Sequence, residues 1–540
     1  MERNICKQGT TPLPFVHLHT HTEYSLLDGI AKIPQLVDKA MADGMPGIAI
    51  TDHANMFGVA EFVHYIESKN RELGTNFKPI IGCEVYVARR GMAQKSGAVD
   101  FAGYHLVLLA KNQIGYRNLL QIVSRSWTEG YYIRPRTDKA TLERYHEGLI
   151  CCSACIGGEV AQHILNDDIE AAERAAEWYK GVFADDYYLE LQYHKPTIER
   201  ANHKTHKLET KVNAELVRLS EKLGVKLICA NDIHYVNEED AEVQDGLLCL
   251  NSGKSVEDPD RLIFSKQEWL KTAAEMNELF AHIPEALENT MDIFDKVEHY
   301  PIGCTPRIPK PSLPKGVDEV EHLARLAFDG AYERFGKPLP ESVKEQLKRE
   351  LRAVNGRNYA PLLLMWHEIV AAARKLGAQI GRNRGFAKSS LLLYCLGIAQ
   401  EEPAEFGEEF CDYITHHTEI PALELEFDKE GREKVLNWVV ERYGEQSVAN
   451  IATRNVFTAK TAKRGEFRVE KLVGVLRKMD IHSCGVAICD GDISKSVPLA
   501  WVESKEYDNA VVVTQYRGEE LLRVGVPVVY FLTSNTLNKY

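Results

Sequence analysis

The stretch VHLHTHTEYSLLDG, residues 16–29, carries most of the first β-rich run of the chain, Phe15–His19, and three residues of metal-ligand type at its end and just beyond: His19, His21 and Asp28. The pattern recurs downstream. Short β-rich runs at Gly47–Thr51, Pro79–Val87, His105–Ala110, Gly148–Ser153, Tyr187–Leu191 and Lys226–Ala230 alternate with helical patterns such as Ile33–Ala42 and Gly115–Val123. Strand–helix alternation of this kind predicts a mainly parallel α/β sheet or barrel. Seven strands suit a (β/α) barrel one strand short of the eight-stranded form.

Polar residues gather at or near the ends of these runs. Asp52 and His53 close the second, Glu84 lies in a Gly-x-Glu on the third, and His105 opens the fourth. Cys155 follows the fifth, and Asp232 and His234 close the seventh in CANDIHY. Imidazole, carboxylate and thiolate are the ligands of divalent transition metals. In a barrel, the loops at strand C-termini converge on one mouth, so ligands from several strands meet there. His105 fits imperfectly, because it starts its strand. Asp52 reads equally well as a helix cap and is left out of the ligand set. Glu84 and Asp232 are candidates for carboxylates bridging several metals, an arrangement that activates water against a phosphate ester.

Composition narrows the class. The 540 residues are 44% hydrophobic and 26% charged, as in a folded globular protein rather than a disordered or collagenous one. That length predicts about three or four domains. No run of about 18 apolar residues exists, and the first fifteen residues have no apolar signal-peptide core. Lys and Arg number 65 against 78 Asp and Glu, a net charge of −13, which argues against a bulk nucleic-acid coat but allows local basic tracts. The 12 cysteines are irregularly spaced, which predicts a reduced, cytoplasmic protein. Cys152-x-x-Cys155 has no second CxxC to partner it and is a weak zinc or redox signal.

Residues 241–300 read as helical and connecting. Five prolines between Pro301 and Lys315 mark a linker. Val317–Phe335 and Glu341–Val354 have amphipathic helical periodicity, and the last sixty residues are β-rich at Gly485–Cys489, Ala510–Gln515 and Val526–Leu532.

Particular segments carry a resemblance. HLHTHTEYSLLDG, ITDHANMFG, IGCEVYVA, HLVLLAKNQIGYRNLL, SACIGGE and NDIHY resemble the polymerase-and-histidinol-phosphatase (PHP) domain of the alpha subunit of bacterial DNA polymerase III, a C-family polymerase. NYAPLLLMWHEIV, GRNRGFAKSSLLLYCLGI, LEFDKEGREKVLNWVVERYGEQSVANI, HSCGVAI and VVTQY resemble the start of its polymerase core. The resemblance implies a distorted seven-stranded (β/α) PHP barrel over 1–300, a linker with thumb-like helices over 301–375, and an α+β palm with shortened fingers over 376–540. It implies a trinuclear metal cluster on His19, His21, Asp28, His53, Glu84, His105, Cys155, Asp232 and His234. Nine such ligands, histidine-rich with one thiolate, predict two or three bound zinc, manganese or iron ions. It further implies 3′→5′ exonuclease activity on DNA, single-stranded or at a 3′ end, and replication or repair proteins as partners.

The polymerase half departs from the family pattern. Where the family carries alternating catalytic aspartates after a proline, this chain has Pro421-Ala422-Leu423-Glu424, and the third catalytic aspartate aligns with Tyr530. The glycine-rich phosphate cradle reads Asn383-Arg384-Gly385-Phe386, with Lys388 after it, and Phe386 is expected to fill space that phosphate needs. Only a short basic stretch, Lys463 to Lys478, precedes HSCGVAI where the family has a much longer fingers insertion, and the resemblance stops before the family's remaining fingers, clamp-binding and oligonucleotide-binding regions. These changes predict that polymerase activity is absent. Five basic and no acidic residues from Arg374 to Lys388, and eight against two from Arg454 to Lys478, are tracts for phosphate backbone or solvated surface. Arg382, Arg384, Lys388 and Lys460 are the candidates there. Tyr131, Tyr132, Arg134 and Arg136 form a basic-aromatic loop suited to single strands. The competing readings are a non-enzymatic DNA- or protein-binding module, and a divergent polymerase using Glu424 and Glu426.

Overall fold

The computed structural model describes residues 12–101, 103–303, 305–382, 384–417, 419–461, 470–503, 510–534 and 537. The chain forms two compact units. The first comprises residues 1–302 with 454–479 and 498–500, and the second comprises the remainder.

In the first unit, strands β1 (Gly47–Ile50), β2 (Lys78–Val87), β3 (Tyr104–Ala110), β4 (Leu149–Cys152), β5 (Tyr187–Gln192) and β6 (Lys226–Ala230) form one sheet in sequence order. Pairs β1–β2, β4–β5 and β5–β6 are parallel, whereas β2–β3 and β3–β4 are antiparallel. The run Phe15–His19 is extended chain rather than a seventh ladder strand. It is held by scattered bonds: Ala49 N–H to His17 O at 2.9 Å, Thr51 N–H to Thr20 O at 2.9 Å and His21 N–H to Ile233 O at 2.7 Å. The Thr20 N–H goes to a side chain instead, Thr51 Oγ1, at 2.7 Å, which keeps a regular ladder from forming. This segment therefore links the β1 side of the sheet to the chain leaving β6, curling the sheet toward closure.

Side chains alternate faces along a strand. Ile80 shares its face with Glu84, and Tyr188 shares its face with Glu190. Ile80, Val107, Ile150, Tyr188 and Ile228 join Ile293 and Val297 of helix Pro284–Lys296 in one buried cluster. Apolar residues thus fill one level of the sheet and ligand-type residues the other. Helix Ile33–Ala42 forms because Ile33, Leu36, Val37 and Ala40 recur at helical spacing and are buried, with proline in the first turn.

The second unit packs helices Glu319–Phe335, Glu341–Gly356, Ala360–Lys375 and Lys429–Tyr443 around a core centred on the fully buried Trp366. Strands β7 (Leu423–Phe427), β8 (Val448–Val456), β9 (Leu476–Ile488), β10 (Leu499–Glu503), β11 (Ala510–Thr514) and β12 (Val528–Thr533) lie in the order β10-β11-β8-β9-β12-β7. The proline-rich stretch 301–315 contains no helix or strand among its described residues. No helix among the described residues is long and apolar enough to cross a membrane.

Candidate metal centre

His19 and His21 are two residues apart on extended chain, so both point the same way. Asp52 fixes the turn that follows them. It accepts from Thr22 N–H at 2.7 Å, Thr22 Oγ1 at 2.8 Å and Ser25 Oγ at 2.7 Å, and Ser25 Oγ lies 2.8 Å from His21 Nδ1. Asp52 therefore acts as a pin for the loop.

Glu84, 1% exposed, sits at the centre of the cluster. One carboxylate oxygen lies 2.8 Å from His105 Nδ1 and 3.5 Å from His19 Nε2; the other lies 2.7 Å from His53 Nδ1 and 3.4 Å from His21 Nε2. Asp232 Oδ1 is 3.2 Å from His21 Nε2, 3.4 Å from His19 Nε2 and 3.7 Å from His234 Nδ1. Asp28 Oδ2 lies 3.2 Å from His53 Nε2 and 3.8 Å from His234 Nε2. Cys155 Sγ is 3.5 Å from His105 Nδ1. All nine residues singled out in the sequence are thus in one place. His105 reaches it from the start of its strand because β3 runs antiparallel to β2, so that His105 pairs with Tyr86, two residues past Glu84.

Ligand atoms of three sets, His21–His53–His234, His19–His21–Glu84 and His53–Glu84–His105, lie within 4.8 Å of one another. The buried atoms Asp28 Oδ1, Asp232 Oδ1 and His234 Nε2 make no hydrogen bond. Neither do His53 Nδ1 and Glu84 Oε2, despite their 2.7 Å approach. Leaving a buried polar atom unsatisfied costs about 1–3 kcal/mol, so several together in one place fit a site built for cations. The backbone carries a related signature. Leu27 (φ 61°), Ala54 (φ 48°), Ala154 (φ 60°) and Asp232 (φ 45°) are left-handed non-glycine residues, each a ligand-type residue or its immediate neighbour. Such strain persists only where surrounding structure enforces it, and it clusters at functional sites.

Charge complementarity is strong. Burial raises the Glu84 carboxyl, but the imidazoles of His105, His53 and His19 override it and hold the group well below the usual range. Asp232 is likewise held well below its range, with His19 the main attraction working against burial. Burial, followed by repulsion from His53 and His234, lowers His21 to about 3 and keeps it a neutral donor. Burial and the nearby Glu84 raise the Cys155 thiol well above its ordinary value.

Several neighbours were not picked out in the sequence. Glu190 Oε1 lies 2.7 Å from His19 Nδ1, and Gln192 donates to that same carboxylate oxygen at 2.8 Å. The signal for Glu190 was available: a carboxylate on a fully buried run, YYLELQ. The Tyr86 ring stacks on His53 at 5.8 Å and meets His105 edge-on at 5.0 Å.

The candidate DNA contacts fare unevenly. Arg136 is corrected: it is 0% exposed, and its guanidinium donates to the carbonyls of Gly130, Asp100, Met92 and Gln94, so it has no face for a phosphate. Arg134 is exposed and donates to Tyr86 Oη at 2.8 Å. Lys460 is exposed, and the adjoining stretch 462–469 of its basic tract lies outside the described residues, as do residues 1–11. In the second unit, Arg382 lies 3.5 Å from Glu401, Arg384 pairs with Glu426 at 3.0 Å, and Lys388 is exposed. Asn383 lies outside the described residues. The Phe386 ring stacks on Tyr413 at 4.8 Å and packs near Trp366 and Phe410 against the apolar core. Glu424 pairs in register with Tyr530 across β7 and β12, and Ala422 immediately precedes β7.

Comparison with known proteins agrees with this architecture. Residues 17–194 match the PHP domain model. Residues 321–473 match the model described as the bacterial DNA polymerase III alpha NTPase domain. DNA polymerase III subunit alpha of Borreliella burgdorferi is 38% identical over 460 residues, covering 84% of this chain and 39% of that protein. The subunit of Treponema pallidum is 34% identical over 469 residues, covering 85% and 38%, and that of Saccharopolyspora erythraea 34% over 511, covering 90% and 40%. Over most of its length the chain is thus similar to bacterial DNA polymerase III alpha subunits, and it spans about two fifths of the length of these relatives.

Proposed function

We propose that the first unit is a metal-dependent phosphoester hydrolase that removes nucleotides from DNA 3′ ends, and that the second is a polymerase-derived unit without polymerase activity. The observation that carries this is the convergence of nine ligand-type side chains, Glu84 and Asp232 at their centre, with orphaned buried oxygens aimed among them. The nine would hold two or three zinc, manganese or iron ions, whose Lewis acidity serves attack at phosphorus. The protein's own groups orient this centre. Glu190 holds His19 by its Nδ1, so its Nε2 faces the cluster, and Ser25 does the same for His21. Glu84 and Asp232 stay ionised at neutral pH and balance cationic charge. DNA and replication or repair proteins are the partners this reading carries.

The test combines elemental analysis with a nuclease assay on a 3′-terminated DNA strand. Purified protein should contain bound transition metal and shorten the strand from its 3′ end. Asp232→Asn removes a shared carboxylate and should abolish both metal retention and shortening, whereas chelation should reversibly abolish shortening. Shortening that survives both chelation and Asp232→Asn would exclude this centre.

A further inference from the structure

Beside the metal centre, linked to it through Trp127 and Tyr86, lies an exposed aromatic loop. Tyr131 and Ile133 are 42% and 56% exposed, beside Phe101 at 41%. Ile133 adopts φ 67°, a costly conformation for a β-branched residue. The loop is nevertheless firmly built. Buried Arg136 ties the carbonyls of Gly130, Asp100, Met92 and Gln94 together, and Tyr132 N–H closes a tight turn onto Arg134 O at 3.0 Å. A loop held open in a strained shape with apolar groups facing water is a surface for a partner.

Two routes connect it to the metal cluster. The Tyr131 ring stacks on Trp127 at 5.7 Å and 21°, and the Trp127 indole N–H donates at 2.8 Å to the carbonyl of Ala54, the residue after His53. Arg134 donates to Tyr86 Oη and lies 5.2 Å from the ring centre, and the same ring stacks on His53. Among the described residues Arg134 has no carboxylate partner. A flat aromatic platform and an unneutralised cation thus stand side by side at the mouth.

We propose that this loop is the strand-holding surface of the metal centre. Tyr131, backed by Trp127, stacks on a base of a single-stranded nucleic acid, and Arg134 holds a backbone phosphate beside the one to be cut. This deepens the hydrolase reading and rests on it for the cut, though not for the binding. Stacking favours single strands because a duplex buries its base faces, and the guanidinium supplies the phosphate contact that an aliphatic protein-docking groove would lack.

The test is fluorescence anisotropy on the full chain, using a 5′-fluorescein oligothymidylate whose phosphorothioate linkages resist hydrolysis. Tyr131→Ala should weaken binding about tenfold, and Tyr131→Phe, which keeps the ring, should bind like the parent. Arg134→Gln should weaken binding and lower the slope of log affinity against log salt by about 1. The exposed Leu73, replaced by Ser, serves as a surface control and should leave binding unchanged. The proposal is overturned if Tyr131→Ala binds normally, as it would if the loop docks a protein, if Tyr131→Phe is as weak as the alanine variant, or if blunt duplex competes as well as single strand. Binding is read without hydrolysis, so an inert metal centre would defeat the hydrolase reading while leaving this readout intact.

Discussion

Glu190 shows how much of the candidate centre depends on a residue that touches it from behind. Its carboxylate lies against His19 Nδ1, and a carboxylate behind a ligating imidazole fixes the tautomer and raises ligand basicity. Glu190→Gln retains size and loses charge, and should lower metal affinity about 10–100-fold. Competition with a graded chelator, read by elemental analysis, measures this, and unchanged retention would reduce Glu190 to packing. A second buried pair, of two groups outside the ligand set, predicts a pH dependence of its own. Burial disfavours the His194 imidazolium, but Glu209, 2.6 Å away, overrides this and holds the pKa up to about 9, with help from Glu268. The unfolded value is near 6.5, so this stabilisation is whole below about pH 6.5 and is lost as pH rises through about 9. Glu209 is held below its usual range and stays charged across that window. Denaturant unfolding should therefore show on the order of 3 kcal/mol less stability from this pair at pH 9 than at pH 6. Glu209→Gln should lose that part of the pH slope; equal slopes in both proteins would refute it.

At the scale of elements, the extended segment Phe15–His19 is the weak seam of the first unit and also the carrier of His19 and His21. Thr51 Oγ1 accepts from Thr20 N–H at 2.7 Å and lies 3.1 Å from Thr20 O, in place of ladder bonds. Thr51→Val leaves the buried Thr20 N–H without a partner, so stability should fall by about 1–3 kcal/mol. Metal retention should fall with it, because the backbone between the two histidines is released. Unfolding curves and elemental analysis of the same sample check both, and loss of neither would mean that the segment is held by packing alone. The six ladder strands and helix Ile33–Ala42 were legible in the sequence because period-2 and helical repeats report burial directly. Closure by a hydroxyl was not, since nothing in the local pattern distinguishes Thr51 bonding a backbone from any other strand threonine. His105 looked misplaced for a related reason: strand direction is a property of the pairing, and β3 reverses. Arg136 was misread because a basic residue beside two tyrosines has the same composition whether it faces phosphate or four carbonyls. That Phe386 turns onto Tyr413 was not legible either, because an aromatic in a loop reads the same whichever way its ring points.

At the scale of the whole molecule, the question is whether the second unit can still join nucleotides. Two-metal nucleotidyl transfer needs carboxylates placed to bind both ions. Ala422 offers none, and Tyr530, the register partner of Glu424, offers a phenol that burial pushes further above its usual range. Glu424 offers a carboxyl group on an exposed face of β7, while Glu426 is engaged by Arg384. A longer side chain moves a carboxylate by about an ångström, and a misplacement on that scale can cost about 100-fold. The surrounding fold does not require carboxylates at these positions. Strands β7 and β12 pair in register over five residues, and the buried Glu350 anchors the stretch after Lys388 by accepting from Ser390 Oγ at 2.7 Å and from two backbone N–H groups. Stability and chemistry are therefore separable on the proposed reading: the pairing of this sheet does not depend on carboxylates at 422 and 530. The expected outcome is no primer extension with any deoxynucleotide, in magnesium or manganese, even with enzyme in large excess over a primer-template. Asp28→Asn is included to silence the proposed exonuclease, so that strand shortening does not mask extension. Templated addition of a single nucleotide by that variant, lost again on Glu424→Ala, would establish a working polymerase built on Glu424.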